Sequence, residues 1–205
     1  SSSERAFCAG ADIRFFYETG QATLQKGAAR IEDFFTEEYA LNHLIHHYPK
    51  PYIAIMDGIV MGGGMGLSQS GPRHRMRIVT ERTKMAMPEV NIGFFPDVGG
   101  SFFLSRTPGQ CGAFLAVTGR TIGAADALYA GLADVFIPSS RLPEVLELLE
   151  TTAEPGIREA VREFAAPFQK EGREGSLLAF QQETIDRHFS HDDVPSILSS
   201  LEQDA

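Results

Sequence analysis

Tyr52-Ile53-Ala54-Ile55-Met56 runs into Asp57-Gly58-Ile59-Val60-Met61-Gly62-Gly63-Gly64-Met65-Gly66-Leu67. The first five residues form a continuous apolar run, the pattern of a strand buried on both faces. The run leads through Gly58-Ile59-Val60 into three consecutive glycines, after which Met65 to Ser70 can start a helix. Backbone N–H groups at a helix N-terminus lack intrahelical partners and point at whatever anion sits there. With no side chains in the way, a reacting carbonyl can approach them closely. The competing reading is a glycine turn used only for packing. Three glycines straight after a buried strand weigh against it.

Outward from this stretch, the pattern is that of an α/β protein. Residues 31–48 carry Phe34, Leu41, Leu44, Ile45 and Tyr48 on one stripe, which predicts an amphipathic helix ended by Pro49 and Pro51. Short strands are expected over 75–80, 84–87 and 134–137, and helices over 100–106, 110–118 and 123–131. Leu142, Val145, Leu146 and Leu149 follow helical spacing over 142–150. Beyond them, Glu154-Pro155-Gly156 and 170–175 are polar breaks between helical pieces at 157–166, 177–189 and 194–203. Strands with helical crossovers, followed by helices, give an α/β domain over 1–138 with a helical C-terminal region over 139–205.

At 205 residues the chain is long enough to bury a proper core. Its net charge of −9 makes nucleic acid and anionic lipid poor partners. A phosphorylated ligand therefore needs a local basic or N–H site. Cys8 and Cys111 lie far apart, and no Cys/His spacing suits a metal, so two reduced thiols and no metal site are expected. No apolar run reaches membrane-spanning length. The opening Ser1-Ser2-Ser3-Glu4-Arg5 has no apolar region behind it, which argues for the cytoplasm, or the mitochondrial matrix where a leader has been removed.

Four segments carry chemistry-bearing residues. In Phe7-Cys8-Ala9-Gly10-Ala11-Asp12-Ile13-Arg14, small residues allow close backbone approach by a ligand, or mark an ordinary turn before a helix. The glycine segment is the second. In the third, Met87-Pro88-Glu89-Val90-Asn91-Ile92-Gly93-Phe94-Phe95-Pro96-Asp97-Val98-Gly99-Gly100, two carboxylates stand in apolar company. Buried charges either pair structurally or do chemistry. The structural alternatives are a helix cap for Asp97 and a salt bridge to Lys84 or Arg82 for Glu89. The fourth is Glu37-Glu38 at the edge of the 31–48 stripe, where periodicity favours a solvated rim and does not choose between the two. No histidine is paired with a well-placed serine in this reading, so a Ser-His-Asp hydrolase is not expected.

Together these segments resemble the crotonase (enoyl-CoA hydratase/isomerase) superfamily. Phe7–Arg14 and Gly58–Leu67 are similar to its two oxyanion segments, and Thr118-Gly119-Arg120 and Ala130-Gly131-Leu132-Ala133-Asp134 to its later pattern. The finer resemblance is to the 3-hydroxyisobutyryl-CoA hydrolases. It is carried by Glu37-Glu38-Tyr39 with Leu41-Asn42, Tyr48-Pro49-Lys50-Pro51-Tyr52, Met61 to Ser68, Ala86-Met87-Pro88-Glu89 and Gly93 to Gly100.

The resemblance implies a crotonase-like fold of repeated strand-strand-helix units, with N-terminal strands of the family absent from this sequence. It implies an acyl-CoA substrate, no cofactor beyond the substrate's own coenzyme A, and a possible trimer or hexamer. The backbone N–H groups of Ala11 and Gly63 would form the oxyanion hole. Glu89 would be the principal catalytic carboxylate and Asp97 the second. Glu38, Gly10, Asp12 and Gly62 would contact substrate. Related hydratases place a second glutamate where this chain has Gly66. The glycine there is expected to leave room for a bulkier acyl group and to favour thioester hydrolysis over hydration. The segment Ser70-Gly71-Pro72-Arg73-His74 is expected to shape the pocket rim. A non-catalytic scaffold that kept the fold is the reading from another class.

Overall fold

The computed structural model describes residues 5–23, 29–72 and 75–204. Arg73 and His74 of the expected rim segment, and Ser1 to Glu4 at the start, lie outside the described residues. The chain begins with β1 (Ala6–Cys8), α1 (Ile13–Thr23) and α2 (Ala29–His46). It continues through β2 (Ile53–Met56), β3 (Ile59–Met61), α3 (Gly63–Gln69), β4 (Met76–Val79) and β5 (Lys84–Ala86). After a 3-10 turn over Glu89–Ile92 come α4 (Gly100–Leu104), α5 (Cys111–Thr118), α6 (Ala124–Tyr129) and β6 (Val135–Phe136). The remainder is helical: α7 (Leu142–Thr151), α8 (Ile157–Ala165), α9 (Gln169–Arg173), α10 (Leu177–Phe189) and α11 (Val194–Gln203).

Consecutive strands go to different sheets. One sheet has the order β1-β3-β5 and the other β2-β4-β6, and every pairing in both is parallel. Parallel neighbours need a crossover connection, and the helices supply it. The strand-strand-helix repeat expected from the resemblance is therefore present. The sequence reading is corrected at one point: the strand that enters the glycines is β3, and the apolar run 53–56 is a separate strand of the other sheet. The chain switches sheets at Asp57-Gly58. There the Asp57 carboxylate accepts the Thr80 hydroxyl (2.7 Å) and the Arg82 Nε–H (2.9 Å).

The interior is methionine-rich: Met56, Met65, Met76 and Met85 are buried with Val60, Ile78 and Val79. Arg77 on β4 is buried too, because its guanidinium donates twice to Asp134 (2.8 and 3.1 Å) and once to Gln69 Oε1 (2.5 Å), while its backbone N–H donates to the same Asp134 carboxylate (2.7 Å). The C-terminal helices share these cores. Val145 and Val161 pack with Met76 and Ile78, while Leu178, Ile185 and Ile197 join the cluster around Met65 and Met85. Asp126 anchors the start of α10 by accepting from Ser176 Oγ (2.8 Å) and the Leu178 N–H (2.9 Å). No helix among the described residues is long and apolar enough to cross a membrane.

Three further expectations need correction. The polar stretch 170–175 holds α9; its Gly172 seats against Phe136 on β6, and that contact decides the conformation where polarity suggested a break. A histidine does meet a serine: His188 Nδ1 lies 2.8 Å from Ser200 Oγ and its Nε2 3.2 Å from Asp204 Oδ2, a clasp that ties α11 to α10. Most consequentially, α2 turns a different face inward. Leu41, Leu44 and Tyr48 are exposed, whereas Ile45, Glu38 and Asn42 are buried or half-buried. The inward face runs 34, 38, 42, 45, at i, i+4, i+8 and i+11. Apolar periodicity missed it because the surface it meets includes a polar site.

Candidate active site

Sheet pairing assembles the site. β1 and β5 flank β3 in parallel, with Cys8 beside Val60 and Met61 beside Ala86. Their C-terminal ends therefore deliver Gly10-Ala11, Gly62-Gly63 and Met87-Pro88-Glu89 to one edge, where parallel sheets commonly bind ligands. The ladder extends one step further through the Gly62 N–H, which donates to the Ala86 carbonyl (3.1 Å).

At this edge the glycines leave room for close approach by the carboxylates. Gly62 has φ 53° and ψ −118°, and a Cβ there would stand 2.8 Å from Glu89 Oε1. A Cβ on Gly63 would lie 2.6 Å from Glu38 Oε1 and 3.8 Å from Gly10 Cα. A Cβ on Gly10 would stand 2.9 Å from the Met61 carbonyl oxygen and 3.6 Å from the Gly63 nitrogen. Gly10, Gly62, Gly63, Glu38 and Glu89 thus converge. Gly63 is the first residue of α3, so its N–H has no acceptor within that helix. Ala11 follows Gly10 in the same loop. The Asp12 carboxylate accepts the Arg14 N–H (3.0 Å) and the Phe15 N–H (3.3 Å), capping α1.

Glu89 is 8% exposed, and its Oε2 is buried without a hydrogen-bond partner among the described residues. Neither structural alternative holds for the third segment. Arg82 is turned to Asp57, and the α4 N-cap is Gly99 with no side-chain cap bond. The Asp97 carboxylate instead accepts the Tyr39 hydroxyl (2.7 Å). Burial holds the Glu89 carboxyl above the usual carboxylate range, and the charge of Asp97 adds to this. Glu38 is raised first by burial, then by Asp97 and Glu89. The Tyr39 phenol is raised as well, by burial and by its bond to Asp97. Two carboxyls raised by burial beside the N–H that opens α3 can move protons next to a developing oxyanion.

Of the Glu37-Glu38 pair, Glu38 faces the site and Glu37 is exposed. The space beside Gly66 is filled and not open: a Cβ there would meet Val98 Cβ at 2.6 Å and Asn42 Oδ1 at 3.1 Å. Tyr39, Asn42 and Val98 were given no role in the sequence reading. Tyr39 and Asn42 stand in the quoted runs, but nothing in composition marks them. Behind Tyr39 a cavity of about 340 Å³ is lined by Asn42, His46, Val98, Phe102 and Phe103.

Comparisons with known proteins bear on the family and the fold. A family model described as enoyl-CoA hydratase/isomerase matches residues 1–205. A Danio rerio protein named 3-hydroxyisobutyryl-CoA hydrolase, mitochondrial, is 41% identical over 99% of this chain and 52% of its own length. A Neurospora crassa protein named small ribosomal subunit protein mS47 is 40% identical over 100% of this chain and 41% of its own. The crystal structure of a carnitinyl-CoA dehydratase from Mycobacterium thermoresistibile superposes with a TM-score of 0.83 at 40% identity, covering 98% of this chain and 55% of that one. The chain spans about half the length of the curated relatives it matches. With its two interleaved parallel sheets and its glycine-lined edge, the chain belongs to the enoyl-CoA hydratase/isomerase, or crotonase, family.

Proposed function

We propose that this site hydrolyses the CoA thioester of a short-chain 3-hydroxy acid, of the 3-hydroxyisobutyryl type, to the free acid and CoA. The observation that carries the reading is Glu89: a buried carboxyl set against Gly62, one oxygen without a hydrogen-bond partner among the described residues, and raised above its ordinary range by burial. The Ala11 and Gly63 N–H groups stabilise the charge that develops on the thioester oxygen, each such donor typically contributing about 3 kcal/mol. Glu89 activates a water or attacks the carbonyl itself. Asp97, steadied by Tyr39, orients the water or substrate, and Glu38 receives the acyl hydroxyl. The compartment follows the relatives named mitochondrial.

Hydration of an enoyl-CoA is the second reading, favoured by solved relatives with hydratase and dehydratase names. Gly66 supports hydrolysis over it, because Val98 and Asn42 occupy the place where a second acid would stand. A scaffold without activity is the third, and the ribosomal name of the Neurospora crassa relative bears on it. Two rates on one preparation separate them. Thiol release from 3-hydroxyisobutyryl-CoA is expected to exceed greatly the hydration of crotonyl-CoA. Faster hydration overturns the hydrolase reading, and no CoA release and no hydration leaves the scaffold.

A further inference from the structure

The turn between Asp97 and α4 is built against its own sequence. The Gly100 N–H donates to the Asp97 carbonyl (2.5 Å), closing a turn whose central residues, Val98 (φ 41°) and Gly99 (φ 88°), both have positive φ. This is the pattern of a type I′ turn, whose central positions are dominated by Gly, Asn and Asp. A β-branched residue in that region is a genuine outlier, and such strain persists only where the surroundings over-determine it. Val98 is the one non-glycine residue with positive φ among the described residues.

What over-determines it is visible. Val98 is 4% exposed, and its isopropyl group presses on the bare face of Gly66 in α3. Asn42 of α2 closes the same spot, with both polar side-chain atoms buried and without a hydrogen-bond partner among the described residues. The residue before this wedge is Asp97. Its carboxylate accepts a hydrogen bond from Tyr39, a residue that is 41% exposed. A turn with the ordinary sign of φ would send the backbone, and the Asp97 side chain with it, in another direction.

We propose that Val98 is a positioning residue: packed against Gly66 where Asn42 also closes in, it keeps the 97–100 turn left-handed and so sets the Asp97 carboxylate beside Glu38 and Glu89. The inference rests on the proposed role of Asp97 in the chemistry.

The test measures kcat, KM, pH profile and melting temperature for Val98→Gly, Gly66→Ala, the double variant and Asp97→Asn. Glycine accepts φ 41° freely, so Val98→Gly permits the turn but removes the wedge. Misplacement of a catalytic group by an ångström can cost up to about a hundredfold. The expected loss in Val98→Gly is about tenfold or more in kcat, with KM within about threefold and a displaced pH profile, in a folded protein. Gly66→Ala drives a methyl group into Val98 and is expected to lose kcat similarly, although the sequence of the turn is unchanged. In the double variant the methyl takes the space the isopropyl left, so kcat falls no further than in Val98→Gly alone.

Parent kcat and pH profile in both single variants overturn the inference, as do losses that simply multiply in the double. Full activity in Asp97→Asn removes the reading on which it rests. An impaired Asp97→Asn beside an unimpaired Val98→Gly removes the positioning role alone.

Discussion

Exchanging Glu89 for glutamine keeps the shape of the side chain and removes its charge, so it separates what this residue does for chemistry from what it costs the fold. Glu89 is 8% exposed, its Oε2 has no partner among the described residues, and burial raises its carboxyl, with Asp97 adding to the effect. A hydrogen bond from its own backbone N–H offsets this in part, and glutamine can still accept it. Because the folded-state pKa lies above the unfolded one, the folded protein holds the proton more tightly. The stability this group contributes is fully present below the unfolded carboxylate pKa and is lost as pH rises through the folded value. Above that value the parent carries an unpaired buried charge. Leaving a buried polar group unsatisfied costs about 1–3 kcal/mol, and more when it is charged. The glutamine amide is also unsatisfied but neutral, so the net gain is about 1 kcal/mol or more at pH 8, or roughly 2–4 °C in Tm for a chain of this length. Thermal melts at pH 8 and pH 4, with thiol-release kinetics alongside, test it. The variant should melt higher at pH 8, match the parent near pH 4, and lose at least about a hundredfold in kcat. A variant that melts no higher than the parent at pH 8, or by the same margin at both pH values, refutes the buried-charge reasoning. Near-normal turnover refutes the catalytic one.

Gly63→Pro deletes the N–H at the first position of α3, where proline breaks no intrahelical bond; kcat should fall by about a hundredfold or more with the circular dichroism unchanged, and a folded, fully active variant would take Gly63 out of the oxyanion hole. Arg77→Met strands Asp134 and Gln69, so the urea midpoint should drop by the equivalent of about 3 kcal/mol, whereas an unchanged midpoint would mean the buried pair contributes nothing. Burial and the nearby Asp186 push the Cys111 thiol up to about 11, so iodoacetamide at pH 8 should modify Cys8 well before Cys111 in the native protein; equal labelling rates would contradict the buried environment.

The family and much of the site were legible because they rest on local chemistry. A glycine triplet after an apolar strand, or a glutamate and an aspartate in apolar company, are signals a few residues long. The choice of Glu38 over Glu37 came from resemblance, and burial of Glu38 supports it. The face of α2 was misread because hydrophobic periodicity assumes an apolar interior. Here the helix turns Glu38 and Asn42 inward and leaves Leu41 and Leu44 exposed. The room expected beside Gly66 was misjudged for a related reason: an absent side chain is visible in sequence, but the neighbour that fills its place is not.

By itself, then, the sequence determined the α/β class, most of the strands and helices after residue 30 (the division of β2 from β3 and helix α9 excepted), and the identity of the carboxylates and glycines that could do chemistry. Those follow from propensity, patterning and residue type, which act over a few neighbours. Only the tertiary structure decided which of them meet. The parallel pairing of β1 and β5 on either side of β3 brings residues 10, 62 and 89 to one edge, and helix packing sets Glu38 against Gly63. It also decided that Asp97 takes the Tyr39 hydroxyl while Val98 is forced into a left-handed turn against Gly66. Each of these depends on contacts between residues tens of positions apart, and their geometry is set by the packing of whole elements.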